Sequence, residues 1–201
     1  LGTTGEQKRE FTVGITDDVT NLSIKVPEDF PTMLPPSTKE CLFWGMGSDG
    51  TIGANKSAVD ILVKGADKYA QGYFAYSAHK EGGLTMSHLR FGDEEINAPY
   101  MLTEPSYVAC HSPLYLTKYS KMMVENIKQG GNFVINCSAT TATELEPHFA
   151  ADLRRHLYDK GVTIYTVDAT KISQQVGMPG RINMVMQSVF FGLANVIDKK
   201  L

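Results

Sequence analysis

An open α/β sheet, mostly parallel and with helices on both faces, is the architecture this 201-residue chain should adopt. Two observations point there. From Glu40 onward, short apolar runs alternate with segments of helical periodicity, the pattern of strands joined by crossover helices. The first run, CLFWG, then enters a glycine turn that opens directly into a helical stretch, a Rossmann-like strand–turn–helix.

In chain order, FTVGITDDVTNLSIKV reads as two short strands around Asp17-Asp18. PEDFPTMLPPS follows, with prolines at 27, 31, 35 and 36, and can form neither a helix interior nor a central strand. Residues 1–39 are therefore expected to be a strand pair and an extended linker cut from something larger, and residues 40–201 the α/β domain. Strands are expected at Cys41–Gly45, Gln71–Tyr76, Leu84–Leu89, Tyr107–Cys110, Asn132–Asn136 and Thr163–Val167. Helices are expected at Thr51–Ala66, Leu114–Ile127, Glu144–Tyr158, Lys171–Val176 and Arg181–Ile197. Only a glycine-bearing loop separates the second strand from the third, so that pair should depart from the parallel rule. The first helix offers an apolar stripe of Ile52, Val59, Leu62, Val63 and Ala66. The last, RINMVMQSVFFGLANVI, is apolar nearly all round and must be covered by this fold or by a partner.

A formal charge of −3 gives no basic face for nucleic acid, and no apolar run reaches the length of a membrane span. The cysteines Cys41, Cys110 and Cys137 are scattered in apolar runs, so they read as buried thiols of a reducing compartment. They form no cluster-binding motif, and the five histidines show no metal spacing, so no metal site is expected.

Gly45-Met46-Gly47-Ser48-Asp49-Gly50 matches G-x-G-x-x-G. Glycines let main-chain amides approach a phosphate, and the N-terminus of the following helix adds about half a positive charge. The same spacing also serves a tight turn that binds nothing. At the end of the second strand stands Ser77-Ala78-His79-Lys80, where an NAD site would place an acid. A histidine and a lysine there suit an additional ribose phosphate, which favours NADP or coenzyme A. Lys56-Ser57 follows Asn55 rather than glycine, so a P-loop is not formed. Arg90 ends the third strand, either free to meet an anion or paired with Asp93 or Glu94. Pro179-Gly180 precedes the last helix, with Arg181 and Asn183 in its first turn, a second anion candidate. No nucleophile elbow or carboxylate pair is present, so no catalytic residue is assigned. His88 reads as a satisfied core histidine rather than a base, and His111 lies near the ligand edge of the sheet, where it could touch a ligand without a catalytic role.

FWGMGSDGTIGANKSAVDI, YAQGYFAY with the following HKEGGLTMSHLRFG, VACHSPLYL and GMPGRINMVMQSVFF, in this order, resemble the gamma-type domain of pyruvate:ferredoxin (flavodoxin) oxidoreductases, within the 2-oxoacid:ferredoxin oxidoreductase family. The resemblance runs from Glu40 to about Leu193. It implies a multidomain enzyme that converts pyruvate to acetyl-CoA with thiamine diphosphate and [4Fe-4S] clusters held in other domains, passing electrons to ferredoxin or flavodoxin. It further implies a homodimer when complete, in the cytoplasm or a reducing anaerobic organelle. The gamma-type domain is the one implicated in holding coenzyme A. By the same resemblance Gly47, Ser48, Asp49, Gly50 and Thr51 would line the phosphate turn with Asn55 and Lys56 behind it, and Arg181 and Asn183 would meet the nucleotide or the thiamine domain. His79 and Lys80 stand where the family often shows two lysines, leaving one of the two charges dependent on pH. An NADP-binding oxidoreductase domain and a non-catalytic interaction module are the alternatives.

Overall fold

The computed structural model describes residues 10–15, 19–27, 32–76 and 83–196. The chain divides into two compact units, Leu1–Met33 and Leu34–Leu201.

Among the described residues of the first unit the expected strand pair is represented by one parallel bridge, Thr12 with Ser23. The Thr12 amide donates to the Leu22 carbonyl at 3.2 Å, and the Ile24 amide donates to the Thr12 carbonyl at 2.9 Å. Left-handed backbone at Gly14 and Asn21 interrupts extension on either side of that bridge. The proposed turn at Asp17-Asp18 lies outside the described residues.

The second unit holds a six-stranded sheet in the order β2-β3-β1-β4-β5-β6. The strands are β1 (Lys39–Met46), β2 (Tyr69–Tyr76), β3 (Leu84–Gly92), β4 (Tyr107–Cys110), β5 (Asn132–Asn136) and β6 (Thr163–Val167). β1, β4, β5 and β6 pair in parallel, whereas β3 is antiparallel to both β1 and β2. The short link between β2 and β3 imposes that reversal, since a parallel return would need a crossover.

Side-chain alternation along the strands divides the core in two. Leu42, Trp44, Val108, Phe133 and Ile135 face α2 (Pro113–Val124) and α4 (Ala151–Asp159). Phe43, Leu89, Phe91, Ala109 and Val134 face α1 (Thr51–Gly65), α5 (Ala169–Gln175) and α6 (Ile182–Ala194). Phe190 of α6 anchors the second layer, edge-on to Phe43 at 5.2 Å and to Tyr107 at 5.3 Å.

Two expectations change, and a third is narrowed. The expected helix Glu144–Tyr158 is broken into α3 (Ala142–Leu145), a 3₁₀ turn at Glu146–His148 and α4. Pro147 lacks the N–H an α-helix needs there, and Phe149 adopts extended backbone that seats its ring on Phe133. The buried face of α1 is Thr51, Ala54, Asn55, Ala58 and Leu62, so of the expected stripe Leu62 is buried and Val59 packs against the core, whereas Ile52 and Ala66 are half-buried and Val63 is exposed. Ala54 and Ala58 let the helix lie close to the sheet, leaving Val63 43% exposed on its flank. α6 buries only Asn183, Met186 and Phe190 completely, so its apolar circumference is not wholly covered within this unit.

Cys41 and Cys110 are buried and Cys137 half-buried, and all three are free thiols. Among the described residues no helix is long and apolar enough to cross a membrane.

Candidate functional site

β1 delivers the chain to the glycine turn at the C-terminal edge of the sheet, where open α/β sheets keep their ligands. Gly45 is required by packing. A Cβ there would lie 2.7 Å from the Thr51 Cβ and 2.9 Å from the Thr85 hydroxyl, so α1 could not sit as close to β1 and β3. Gly45→Ala is therefore expected to cost about 1–3 kcal/mol, read as a lower urea midpoint at unchanged slope. An unshifted midpoint would refute the close packing. Gly50 caps α1 in left-handed backbone at φ 82°, and Ser48 shares that region at φ 76°.

The turn supplies part of its own anion. The Asp49 carboxylate accepts the Met46 amide through Oδ2 and the Thr51 amide through Oδ1, each at 2.8 Å. The Gly47 amide donates to the Gly83 carbonyl at 2.6 Å, and the Asp49 amide donates to the Met46 carbonyl at 3.0 Å. Of the amides expected to line a phosphate turn, those of Gly47, Asp49 and Thr51 are thus engaged within the protein. The amides of Ser48, Gly50, Ile52 and Gly53 make no hydrogen bond among the described residues. The cradle left open is therefore the left-handed part of the turn and the first helical turn.

α6 completes this corner. Asn183 Nδ2 donates to the Gly50 carbonyl at 3.4 Å, and its amide fills the space a Cβ on Gly50 would need, 2.8 Å away. One turn on, Gln187 Nε2 donates to the Ala54 carbonyl at 2.9 Å. Two helix N-termini are thereby held next to one another, that of α6 without a side-chain cap and that of α1 with its first amide, Thr51, taken by the Asp49 carboxylate. Arg181, at the N-cap of α6, is exposed and makes no ion pair among the described residues. Gln187 carries only one signal in the sequence, its place one turn after Asn183.

The other expected residues separate. Asn55 is 4% exposed and turned into the core, its Nδ2 without a partner among the described residues. Lys56 extends toward the β2–β3 end, its ammonium 5.7 Å from the Phe74 ring. His79 and Lys80 lie outside the described residues. Arg90 is 3% exposed and bonds the Glu40 carboxylate at 2.8 Å, so it is neither free for an anionic ligand nor paired with Asp93 or Glu94. Asp93 pairs with Lys68 instead.

His111 supports the turn from beneath. Its Nδ1 lies 2.8 Å from the Thr51 hydroxyl, its own amide donates to the Trp44 carbonyl, and its carbonyl accepts from Asn136 Nδ2. Burial pushes its pKa down to about 4 against the opposing pull of Asp49, so the ring is neutral near pH 7.

A family profile described as pyruvate ferredoxin/flavodoxin oxidoreductase matches residues 40–201. The chain belongs to the pyruvate ferredoxin/flavodoxin oxidoreductase family. It is 46% identical over 190 residues to a pyruvate:ferredoxin oxidoreductase of Moorella thermoacetica, covering 94% of this chain but 16% of that protein. This member of the oxidoreductase family thus corresponds to about one sixth of that relative's length. Its fold is similar to that of pyruvate oxidoreductase subunit PORC from Thermotoga maritima, with TM-score 0.61, 20% identity, and coverage of 81% of this chain and 79% of that one. A 2-oxoglutarate:ferredoxin oxidoreductase from Magnetococcus marinus, solved with 2-oxoglutarate, coenzyme A and succinyl-CoA bound, also shares it. There the TM-score is 0.59 and the identity 15%, over 81% of this chain and 25% of that one.

Proposed function

We propose that this chain is the coenzyme A-binding domain of a larger enzyme that oxidatively decarboxylates pyruvate to acetyl-CoA and reduces ferredoxin or flavodoxin. The observation that carries the reading is the meeting of the α1 and α6 N-termini, fastened by Asn183 on the Gly50 carbonyl. The open amides of Ser48, Gly50, Ile52 and Gly53, with two helix dipoles and the Arg181 guanidinium, would receive the diphosphate. His79 and Lys80 would take the ribose phosphate. Asp49 fixes the turn from within, and its charge confines the anion to the helix side. Lys56 adds positive potential toward the β2 end. A relative of the same fold was solved with coenzyme A bound, which supports this reading.

Thiamine diphosphate and the [4Fe-4S] clusters belong, in this reading, to parts of the enzyme outside this chain. Its thiols do not suit a cluster: Cys41 and Cys110 are buried on strands, and no group of three metal-ligating side chains occurs among the described residues. The family's clusters would carry electrons and thiamine diphosphate would activate the 2-oxoacid. This chain's residues would bind and orient the acyl acceptor. A homodimer in the cytoplasm or a reducing anaerobic organelle completes the proposal.

Calorimetric titration tests it. Coenzyme A should bind weakly, since part of the pocket lies in other domains, and dephospho-coenzyme A about tenfold more weakly, as one charged contact is lost. Equal affinities would remove His79 and Lys80 from the site. Binding of NADP without coenzyme A would transfer the turn to a dinucleotide, and no binding of either would leave an interaction module.

A further inference from the structure

A second polar recess lies on the sheet face opposite α1, toward the N-terminal end of β1 and so away from the glycine turn. It is a cavity of about 450 Å³ floored by Gln71, His88 and Arg90 and walled by residues 98–101. His88 is 7% exposed, yet neither ring nitrogen has a partner among the described residues, and the buried Gln71 Oε1 has none. Buried polar atoms are rarely left unmatched, so these three, closed to solvent as they stand, are groups that turning of the His88 and Gln71 side chains would offer to a partner in the recess.

The charges beside them are already committed. The Arg90 guanidinium donates to Glu40 and to the carbonyls of Ala98, Tyr100 and Met101, and the second Glu40 oxygen accepts the Glu104 amide. Burial and the adjacent Arg90 lower the His88 pKa, so the ring offers one donor and one bare acceptor. The rim is Tyr73, Tyr100 and Met101, exposed by 53%, 42% and 51%. Aromatic and methionine side chains of this kind are enriched where polypeptides meet. β2, which forms one wall, is an edge strand of the sheet.

We propose that this recess receives an uncharged, extended peptide segment from elsewhere in the same, longer polypeptide. A peptide unit supplies the complement: its carbonyl accepts from the His88 N–H, its N–H donates to the bare nitrogen or to Gln71 Oε1, and an apolar side chain enters between the rim residues. The Moorella relative, of which this chain spans 16%, leaves ample chain to provide such a segment. The inference rests on the reading that the chain works within a larger protein, but not on the anion site.

Photo-crosslinking in the complete protein tests it, with p-benzoylphenylalanine placed at position 73 in one variant and at position 101 in another. Both positions are exposed, so loss of folding in one leaves the other informative. The expected result is adducts from both positions to one uncharged stretch outside residues 1–201, reduced at least fivefold by His88→Phe. Adducts confined to this chain, adducts to a second copy in mixed-isotope dimers, or none at all would overturn the docking. A complete protein no longer than this chain would instead overturn the larger-enzyme reading.

Discussion

Arg90→Met is expected to lower the unfolding free energy by about 3–5 kcal/mol, the usual cost of stranding one member of a buried ion pair. Arg90 and Glu40 are 3% and 6% exposed and bond at 2.8 Å across neighbouring strands. Removing the guanidinium leaves the Glu40 carboxylate buried with only the Glu104 amide, and deprives the carbonyls of Ala98, Tyr100 and Met101 of their donors. The double variant Glu40→Leu/Arg90→Met should be less destabilised than Arg90→Met alone, because no charge is stranded. Urea unfolding of both reads the difference. A single-variant loss below about 1 kcal/mol would show that water reaches the pair. If Arg90→Met does not fold, Arg90→Lys, which keeps the charge but not the fork of donors, should show an intermediate loss.

Acid should destabilise the protein well above the carboxylate range. The folded His111 pKa is about 4 and its ordinary value 6.5, so between these the unfolded chain binds a proton that the folded chain refuses. Stability from this group is complete above pH 6.5 and falls as the pH drops, by about 2 kcal/mol at pH 5 and about 3 kcal/mol near pH 4. His88 is lowered in the same direction and adds to the fall. Urea midpoints at pH 7, 6 and 5 measure it, and a flat profile over that span would mean that the Thr51–His111 pair accepts the proton without opening.

Much of the sheet was legible because apolar runs bounded by glycine, proline and asparagine leave few alternatives. β4, β5 and β6 occupy the spans expected for them, and the β2–β3 reversal was implied by their short connection. Errors arose where a local choice depended on a distant residue. In the sequence the nearest acids to Arg90 are Asp93 and Glu94, whereas pairing of β1 with β3 places Glu40, 50 residues away, directly opposite. Hydrophobicity alone favours the larger side chains of α1 for its inner face, but close approach to the sheet rewards small ones, so Ala54 and Ala58 turn inward. At the site, the glycine spacing disclosed a tight strand-to-helix turn with left-handed backbone at Gly50. It did not disclose that the Asp49 carboxylate engages two amides around it, because Asx geometry depends on the backbone angles of Ser48 and Gly50. Asn183 and Gly50 were both singled out, yet only the packing of α6 against α1 reveals that they touch.

That last contact has a consequence for biosynthesis. Gly50 and Asn183 are 133 residues apart, as are Ala54 and Gln187. At about 5–20 residues per second, a ribosome needs on the order of ten seconds to make the intervening stretch. During that interval the nascent chain exposes the start of α1 without its clasp, and the corner between α1 and α6 is assembled only when nearly all of this region has been translated.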